Sequence, residues 1–405
     1  MTQTSASDWR TPTVVLVACC IIITLAMGIR HGFGLFLQPI SSDLGWGRET
    51  FALAIAIQNL AWGATQPFAG MVADRFGSAR VVVGGAILYV LGLILMANAT
   101  APWLFVVTAG LLIGTGLSGV TFSIIAGVLG RRFTPEKRSM VLGISAAAGS
   151  FGQFAVLPLT QWLLSNVGWH FALLALAGLA MLIVPLAAAL VERRTMIVNT
   201  FKQSARQAID EAVHHKGYVL LTLGYFVCGF QVVFVGVHLP AYLADKGLPA
   251  HVAVMALALI GLFNIIGTYT AGWLGGRMSK KNILAFIYFA RALVFAVFFW
   301  LPVTIASVYI FAMALGLLWL STVPVTNGML AQIFGVRYLA MLSGLTFFSH
   351  QIGSFLGAWL GGKLYDATGS YDVVWYLSIA LGIVAGLLNL PINEQPIRRP
   401  TTEPA

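Results

Sequence analysis

Apolar residues fill this chain in long, nearly continuous runs that do not alternate with polar residues. Each run is about twenty residues long, the length an α-helix needs to cross the hydrocarbon core of a bilayer. A helix satisfies its own backbone hydrogen bonds in lipid, so these runs predict spanning helices and not strands. Twelve such helices are predicted, at 13–38, 50–73, 81–100, 103–129, 139–163, 169–191, 217–243, 251–274, 283–301, 304–330, 339–362 and 372–391.

Composition supports an all-α membrane protein. Hydrophobic residues make up 59% of the 405 residues and charged residues only 9%, whereas soluble domains average about 25% charged residues. A water-soluble fold is therefore excluded. The first apolar run is too long for a cleavable signal peptide, and no small-residue cleavage site follows a basic start, so we expect it to remain as a helix.

The basic residues are distributed unevenly between the two sets of loops. With the N-terminus inside, 18 of the 23 Lys and Arg residues lie in cytoplasmic segments and 3 in outer loops, leaving only Arg30 and Arg291 within spans. This asymmetry predicts that both termini are cytoplasmic, in a bacterial inner membrane or plasma membrane. The net charge of +10 therefore reflects topology, and we expect lipid, not nucleic acid, as the neighbour of these residues.

The polar stretch at 192–216 divides the chain. It mixes charged and apolar residues and is predicted to be an amphipathic helix on the inner membrane face. The predicted organisation is an N-terminal six-helix bundle at 1–191, a cytoplasmic linker at 192–216 and a C-terminal six-helix bundle at 217–405.

The two halves echo each other. The loop after the second span contains a motif formed by Gly70, Asp74, Arg75, Gly77 and Arg80, and a degenerate copy at 272–281 follows the eighth span 202 residues later. Gly-Ser-Phe at 149–151 recurs at 353–355. Two repeated motifs, each separated from its copy by nearly the same number of residues, predict a duplicated unit and two pseudo-symmetric bundles.

With this loop motif, the chain resembles the major facilitator superfamily over nearly its whole length. Its segments 33–48, 114–133 and 143–169 resemble the monocarboxylate and oxalate/formate transporter branch. The resemblance implies the twelve-helix major facilitator fold, a monomer, and alternating access around a cavity lined by spans one, four, seven and ten. In that family the loop motif controls the conformational change.

Candidate transport chemistry begins with charge inside the membrane. All 13 acidic residues lie in loops, tails or helix ends, so a carboxylate proton relay has no candidate. Arg30 and His31 interrupt the first span and could bind an anion, since a buried Arg requires a partner; alternatively, Arg30 extends to the interface. If protons are coupled, His31 and His350 are the candidates, because histidine titrates near neutrality.

The resemblance adds two comparisons. Monocarboxylate carriers place a Lys at or beside the position of His31, and oxalate/formate members place one close to His350. The carboxylate-binding members also have an Arg in the eighth span, where this chain has Thr268. Either Arg30 with His31 replaces that charge, or the substrate is not a simple carboxylate.

Polar and aromatic residues at mid-depth complete the candidate site, although each could instead form an interhelical hydrogen bond. Arg291, in a peripheral span, is expected to bond neighbouring carbonyls, and His238 to lie at the membrane interface. The substrate-binding candidates are Arg30, His31, Gln58, Asn59, Gln153, Asn264, Trp319, His350 and Gln351.

No nucleotide-binding loop, catalytic triad or metal-ligand cluster is readable, so we expect no cofactor and no enzyme activity. The sequence predicts a secondary active transporter for a small, monocarboxylate-like organic anion that is coupled to an ion or to exchange. The alternative on the same fold is an importer or exporter of a neutral, zwitterionic or toxic compound. A receptor or membrane-embedded enzyme would need an added domain or a nucleophile facing the cavity, and neither is visible.

Overall fold

The computed structural model describes residues 9–191, 205–335 and 338–397. Within these ranges the chain is helical and contains no strand. The described helices form twelve spans, numbered here α1 to α12: Pro12–Leu44, Arg48–Phe76, Ser78–Ala97, Pro102–Arg132, 135–167, 169–190, Lys216–Asp245, Ala250–Gly275, Lys280–Trp300, Ile305–Phe334, Leu339–Thr368 and Asp372–Asn389.

The predicted number of spans is confirmed, although two of them are less apolar than the rest. Nine described stretches are long and apolar enough to cross a bilayer. One of these holds both α5 and α6, which are separated at Gly168, where φ is 75° and glycine is favoured. The remaining two, α2 and α11, have 29 and 30 residues. They are less apolar because they carry amides and a histidine where the two halves of the molecule meet.

Three spans that the sequence predicted to be continuous are interrupted. In α1, a 3₁₀ segment at Gly32–Phe36 follows Arg30 and His31 directly, and the helix continues to Leu44, six residues beyond its predicted end. In α4, a π-helical turn at Val106–Leu112 is followed by extended backbone at Thr121. In α10, the α-helix stops at Leu318 and resumes at Thr322. Such breaks release backbone groups that must find partners inside the protein.

Two hydrophobic cores correspond to the two halves of the chain. The first is built mainly from α1 to α6 and the second mainly from α7 to α12. In the first half, α1 packs along α5 so closely that a methyl group on Gly152 would overlap the Thr24 carbonyl. In the second half, α7 packs along α11, and a methyl group on Gly353 would overlap the Phe226 carbonyl. This equivalence supports the predicted pseudo-symmetry of two six-helix bundles.

Only part of the predicted linker helix can be compared with the structure. Residues 192–204 lie outside the described ranges, and a helix spans Ala205–His214. Ala208 and Ala212 are buried on one side of it, while Arg206 is exposed, which agrees with an amphipathic helix. Residues 1–8, 336–337 and 398–405 also lie outside the described ranges, and the bundle boundaries stay a prediction.

Candidate functional site

The two halves meet along two helix pairs, α2 with α11 and α5 with α8. Glycines permit the close approach: a Cβ atom on Gly63 would lie 2.8 Å from Cβ of Gln351. In the second pair, Gln153 donates to the Leu257 carbonyl at 2.8 Å and Asn264 donates to Ser150 Oγ at 2.9 Å. Polar side chains therefore join the halves at mid-depth, where the sequence placed its candidates.

Four of the predicted site residues form one hydrogen-bonded chain, called here the central network: Arg30, Asn59, Gln351 and His350. Arg30 Nη2 donates to Asn59 Oδ1 at 2.5 Å. Gln351 Nε2 donates to the Asn59 carbonyl at 3.2 Å, and its Oε1 lies 3.2 Å from His350 Nδ1. The network connects α1 and α2 of the first half with α11 of the second, so it spans the plane along which the halves meet.

The central network carries a positive charge without a counterion. Arg30 is only 9% exposed, and no carboxylate pairs with it among the described residues. Its Nε and the Nε2 of His350, which is 7% exposed, are buried atoms without a hydrogen-bond partner. A buried charge without a counterion is unfavourable, so an anion placed beside Arg30 would be stabilised.

The His31 side chain hydrogen-bonds within α1 and not to the central network. Its Nδ1 lies 2.7 Å from the Met27 carbonyl one turn earlier in α1, and the side chain is half-buried. The two histidines predicted to carry protons therefore have different surroundings, and only His350 belongs to the central network.

Gln58 and Trp319, two further predicted site residues, form hydrogen bonds outside the central network. Gln58 donates to the Ala109 carbonyl at 2.8 Å and so connects α2 with α4 inside the first half. Trp319 lies at the α10 interruption, where its carbonyl accepts a hydrogen bond and its buried indole N–H has no partner. Gln58 thus acts as an interhelical hydrogen-bonding residue, the alternative considered from sequence.

The position of the missing eighth-span arginine is occupied by a small polar pair. Thr268 Oγ1 donates to Asn264 Oδ1 at 3.0 Å, and the same oxygen accepts the Leu320 backbone N–H at 2.9 Å. Asn264 therefore supports the α10 interruption and bonds across to α5. No positive charge replaces the arginine within this group.

Arg291 bonds carbonyls, as predicted. It is fully buried in α9 and donates to the Leu318 carbonyl at 2.5 Å and the Trp319 carbonyl at 2.9 Å, with Gln231 Oε1 at 3.2 Å. These carbonyls belong to the α10 interruption, where helical partners are missing. Arg291 therefore stabilises a break in a neighbouring helix.

The loop motif at 70–80 runs from the last turns of α2 through Gly77 into the first turn of α3. Gly77 adopts a φ of 95° between the two helices, a conformation that favours glycine. Arg131 at the end of α4 donates to Ser78 Oγ at 2.8 Å, which ties this connection to α4. Gly70 and Arg75 lie on α2, and Arg80 lies on α3. The structure does not describe the side chain of Asp74.

The end of the molecule opposite the termini, called here the far end, is closed by contacts that the sequence pattern did not predict. Arg48 donates to both oxygens of Asp245, at 2.6 and 2.8 Å, and to Tyr371 at 3.0 Å. Backbone N–H groups of Arg48 and Glu49 donate to the Asp366 carboxylate at 3.0 and 2.7 Å. The one sequence feature that sets Arg48 apart is that it is among the few basic residues expected in the outer loops.

His238 corrects one expectation. It is 1% exposed, with Nε2 2.7 Å from the Ala358 carbonyl and Nδ1 3.2 Å from the Tyr371 hydroxyl. Its ring is held between α7, α11 and the start of α12, so the side chain is buried inside the second half and is not exposed at the molecular surface. Its position along the span was readable from sequence, but the direction of its side chain was not.

Residues 16–348 match the family model of the Major Facilitator Superfamily. The chain belongs to the major facilitator superfamily. Rat monocarboxylate transporter 13 is 26% identical over 403 residues, covering 96% of this chain and 91% of the relative. The uncharacterized MFS-type transporter YcxA of Bacillus subtilis is 23% identical over 374 residues, covering 89% and 90%.

Solved structures show the same fold. A D-xylose–proton symporter superposes with a TM-score of 0.72 at 14% identity, covering 94% of this chain and 97% of that chain. A bacterial homologue of the lysosomal transporter Spinster gives 0.73 at 14%, covering 95% and 94%. The predicted family and fold are confirmed: this major facilitator protein is a multi-pass membrane transporter and not an enzyme. No cluster of side chains suited to a metal ion occurs among its described residues.

Proposed function

We propose that this transporter carries a small, monocarboxylate-like organic anion by alternating access and that Arg30 binds the anionic group. The observation that carries the proposal is the buried Arg30 guanidinium, which has no carboxylate partner among the described residues and an unpartnered Nε. A guanidinium presents paired N–H donors that match a carboxylate. The monocarboxylate transporters among the relatives support the same substrate class.

Alternating access accounts for the contacts between the halves. The far end is held by Arg48, Asp245 and Asp366, and the positive-inside distribution of basic residues assigns that end to the outside. The described state is then closed outward. Rocking of the two bundles would break the far-end contacts and the hydrogen bond between Gln351 and Asn59.

Proton coupling through histidine is the finer part of the proposal. Within the central network, His350 lies next to Gln351 Oε1, and its Nδ1 also lies 3.4 Å from Ser354 Oγ. A protonated His350 would add a second positive charge beside the anion site. His31, one residue from Arg30, is the second candidate, and replacing both with glutamine should abolish accumulation driven by a pH gradient if either carries the proton.

The competing proposal is a neutral or zwitterionic substrate, which Thr268 favours because no arginine stands in the eighth span. Counterflow in proteoliposomes with labelled lactate, benzoate and glycine betaine distinguishes the two. For an anion carrier, Arg30→Gln should weaken carboxylate uptake by about tenfold or more, because a charge-assisted hydrogen bond is lost. Lys246→Gln, an exposed far-end change, is the matched control. Equal uptake by wild type and Arg30→Gln would overturn the anion proposal.

A further inference from the structure

The central network lies beside a row of aromatic rings that crosses between the two halves. The guanidinium carbon of Arg30 is 5.5 Å from the ring centre of Trp62 on α2. Trp62 meets Phe347 on α11 edge-to-face, with centres 5.4 Å apart. Phe347 in turn lies parallel to the His350 ring, at 5.8 Å and 10°. This aromatic row consists of Trp62, Phe347, His350 and, 4.9 Å beyond it, Tyr225.

The orientation of Trp62 is fixed by its polar edge. Its indole N–H donates to Gln66 Oε1 at 2.9 Å and to Thr121 Oγ1 at 3.2 Å. These bonds hold the N–H edge towards α4, while Arg30 lies near the ring. The indole ring is therefore held in one orientation beside Arg30, the cation of the central network that has no counterion among the described residues.

Trp62 and Phe347 are also the partly exposed members of the row. Both side chains are half-buried, whereas Tyr225 and His350 are buried. Their contact joins α2 to α11, which belong to different bundles. Because that contact is formed between bundles that move against each other, a flat ligand could take the place of one ring against the other.

We infer that the transported anion is a ring-bearing carboxylate, held by Arg30 at its carboxylate and by Trp62 and Phe347 at its aromatic ring. The inference rests on the proposed anion function and narrows its substrate class. Aromatic rings favour edge-to-face or offset contacts with other rings beyond their simple apolar contact. A short aliphatic acid such as lactate would reach Arg30 but has no ring to place against Trp62 or Phe347.

The test is competition against labelled benzoate bound to the purified full-length transporter. Cyclohexanecarboxylate matches its size and charge without an aromatic ring, benzamide keeps the ring without the charge, and lactate is the short acid. We expect benzoate to bind about tenfold more tightly than cyclohexanecarboxylate, in proportion to the ring contacts. Equal affinity for these two acids would overturn the inference.

Variants separate this inference from the proposed function. Trp62→Leu and Phe347→Leu should remove the preference for benzoate over cyclohexanecarboxylate but retain carboxylate binding, and Trp62→Phe should restore part of the preference. Arg30→Gln should weaken both acids alike. If the preference survives both leucine variants, the ring contacts are wrong while the anion proposal stands. If no carboxylate binds the wild type, both are wrong. Trp103→Leu, a 69% exposed tryptophan at the start of α4, controls for the loss of an indole.

Discussion

Arg48 and Asp245 lie 197 residues apart in the sequence, yet they form a two-point ion pair across the far end of the molecule, at 2.6 and 2.8 Å. The guanidinium also lies 3.7 Å from the ring centre of Tyr365. Tyr371 adds its hydroxyl, and burial raises the pKa of this tyrosine above its ordinary value, so it remains neutral. A two-point ion pair whose guanidinium is covered by an aromatic ring contributes more to stability than an exposed surface ion pair.

Removing this ion pair should open the far end. In Asp245→Ala, Arg48 loses its charged partner, and the described arrangement, in which the far end is closed, loses about 1–3 kcal/mol, the usual effect of losing a charge-assisted hydrogen bond. Spin labels on Ser42→Cys and Lys246→Cys, in a background without the native cysteines, would report the separation of the two halves. We expect a second, longer distance to become populated.

Asp372→Ala controls for the loss of a far-end carboxylate, because Asp372 does not pair with Arg48. It should leave the label distances as in the wild type. An unchanged distance distribution in Asp245→Ala would show that the ion pair does not hold the far end closed.

The approach of α2 to α11 should depend on Gly63. A methyl group there would lie 2.8 Å from both Cβ and Cγ of Gln351 and 3.1 Å from Phe348. Gly63→Ala should therefore disfavour the described arrangement and slow transport with little change in expression. Gly84→Ala, where a methyl group would meet nothing within 4 Å, should transport normally. Comparable initial rates for the two variants would show that the helices separate at no penalty.

Arg291 should matter for stability and not for substrate affinity. In Arg291→Met, the carbonyls of Leu318 and Trp319 lose their donor at the α10 interruption, and buried unpaired carbonyls are each unfavourable by about 1–3 kcal/mol. We expect a lower thermal unfolding temperature in detergent and an unchanged KM for the fraction that folds. Arg291→Lys should be intermediate, because one ammonium nitrogen cannot reproduce the Nη2 bonds to both carbonyls together with the Nη1 bond to Gln231. A raised KM with unchanged stability would instead place Arg291 at the substrate site.

The spans were predictable because each is long enough to cross the bilayer, and even the polar α2 and α11 kept enough apolar residues to be recognised. The α10 interruption was not predictable, since Leu318, Trp319 and Leu320 are as apolar as any helical segment. Its cause lies in tertiary contacts, with Arg291 and Asn264 binding the released backbone groups. Local sequence pattern contains no information on such partners.

The site was predictable to a similar degree. Depth in the membrane can be counted along a span, so Asn59, His350 and Gln351 were expected near the middle and Arg30 about two-thirds of the way to the outer face. Which of them touch depends on helix rotation and on the approach of two bundles, and no periodicity revealed this in helices that are apolar on most sides. The Arg48 contacts were missed for another reason: charges in outer loops fit the predicted topology equally well without pairing, so nothing in the sequence pattern pairs Arg48 with Asp245.

Glu394 should stabilise the second bundle at the end where the termini lie. One carboxylate oxygen accepts from Ser279 Oγ at 2.9 Å and from the Lys281 backbone N–H at 2.5 Å, so the C-terminal segment caps the first turn of α9. Gln332 Nε2 donates to the Glu394 carbonyl at 2.9 Å and fixes the same segment to α10. A carboxylate at a helix N-terminus also interacts favourably with the helix dipole.

Replacing that carboxylate should lower stability by about 1 kcal/mol, the usual effect of losing an N-terminal cap. Glu394→Ala should reduce the thermal unfolding temperature measured in detergent, and Glu394→Gln should reduce it less, because an amide oxygen still accepts both bonds but carries no charge. Gln395→Ala, one residue further along the same exposed segment, should have no effect. Substrate KM should be the same in all three variants, since the cap lies far from the central network. Equal unfolding temperatures for Glu394→Ala and Gln395→Ala would mean that the α9 terminus is satisfied by water instead.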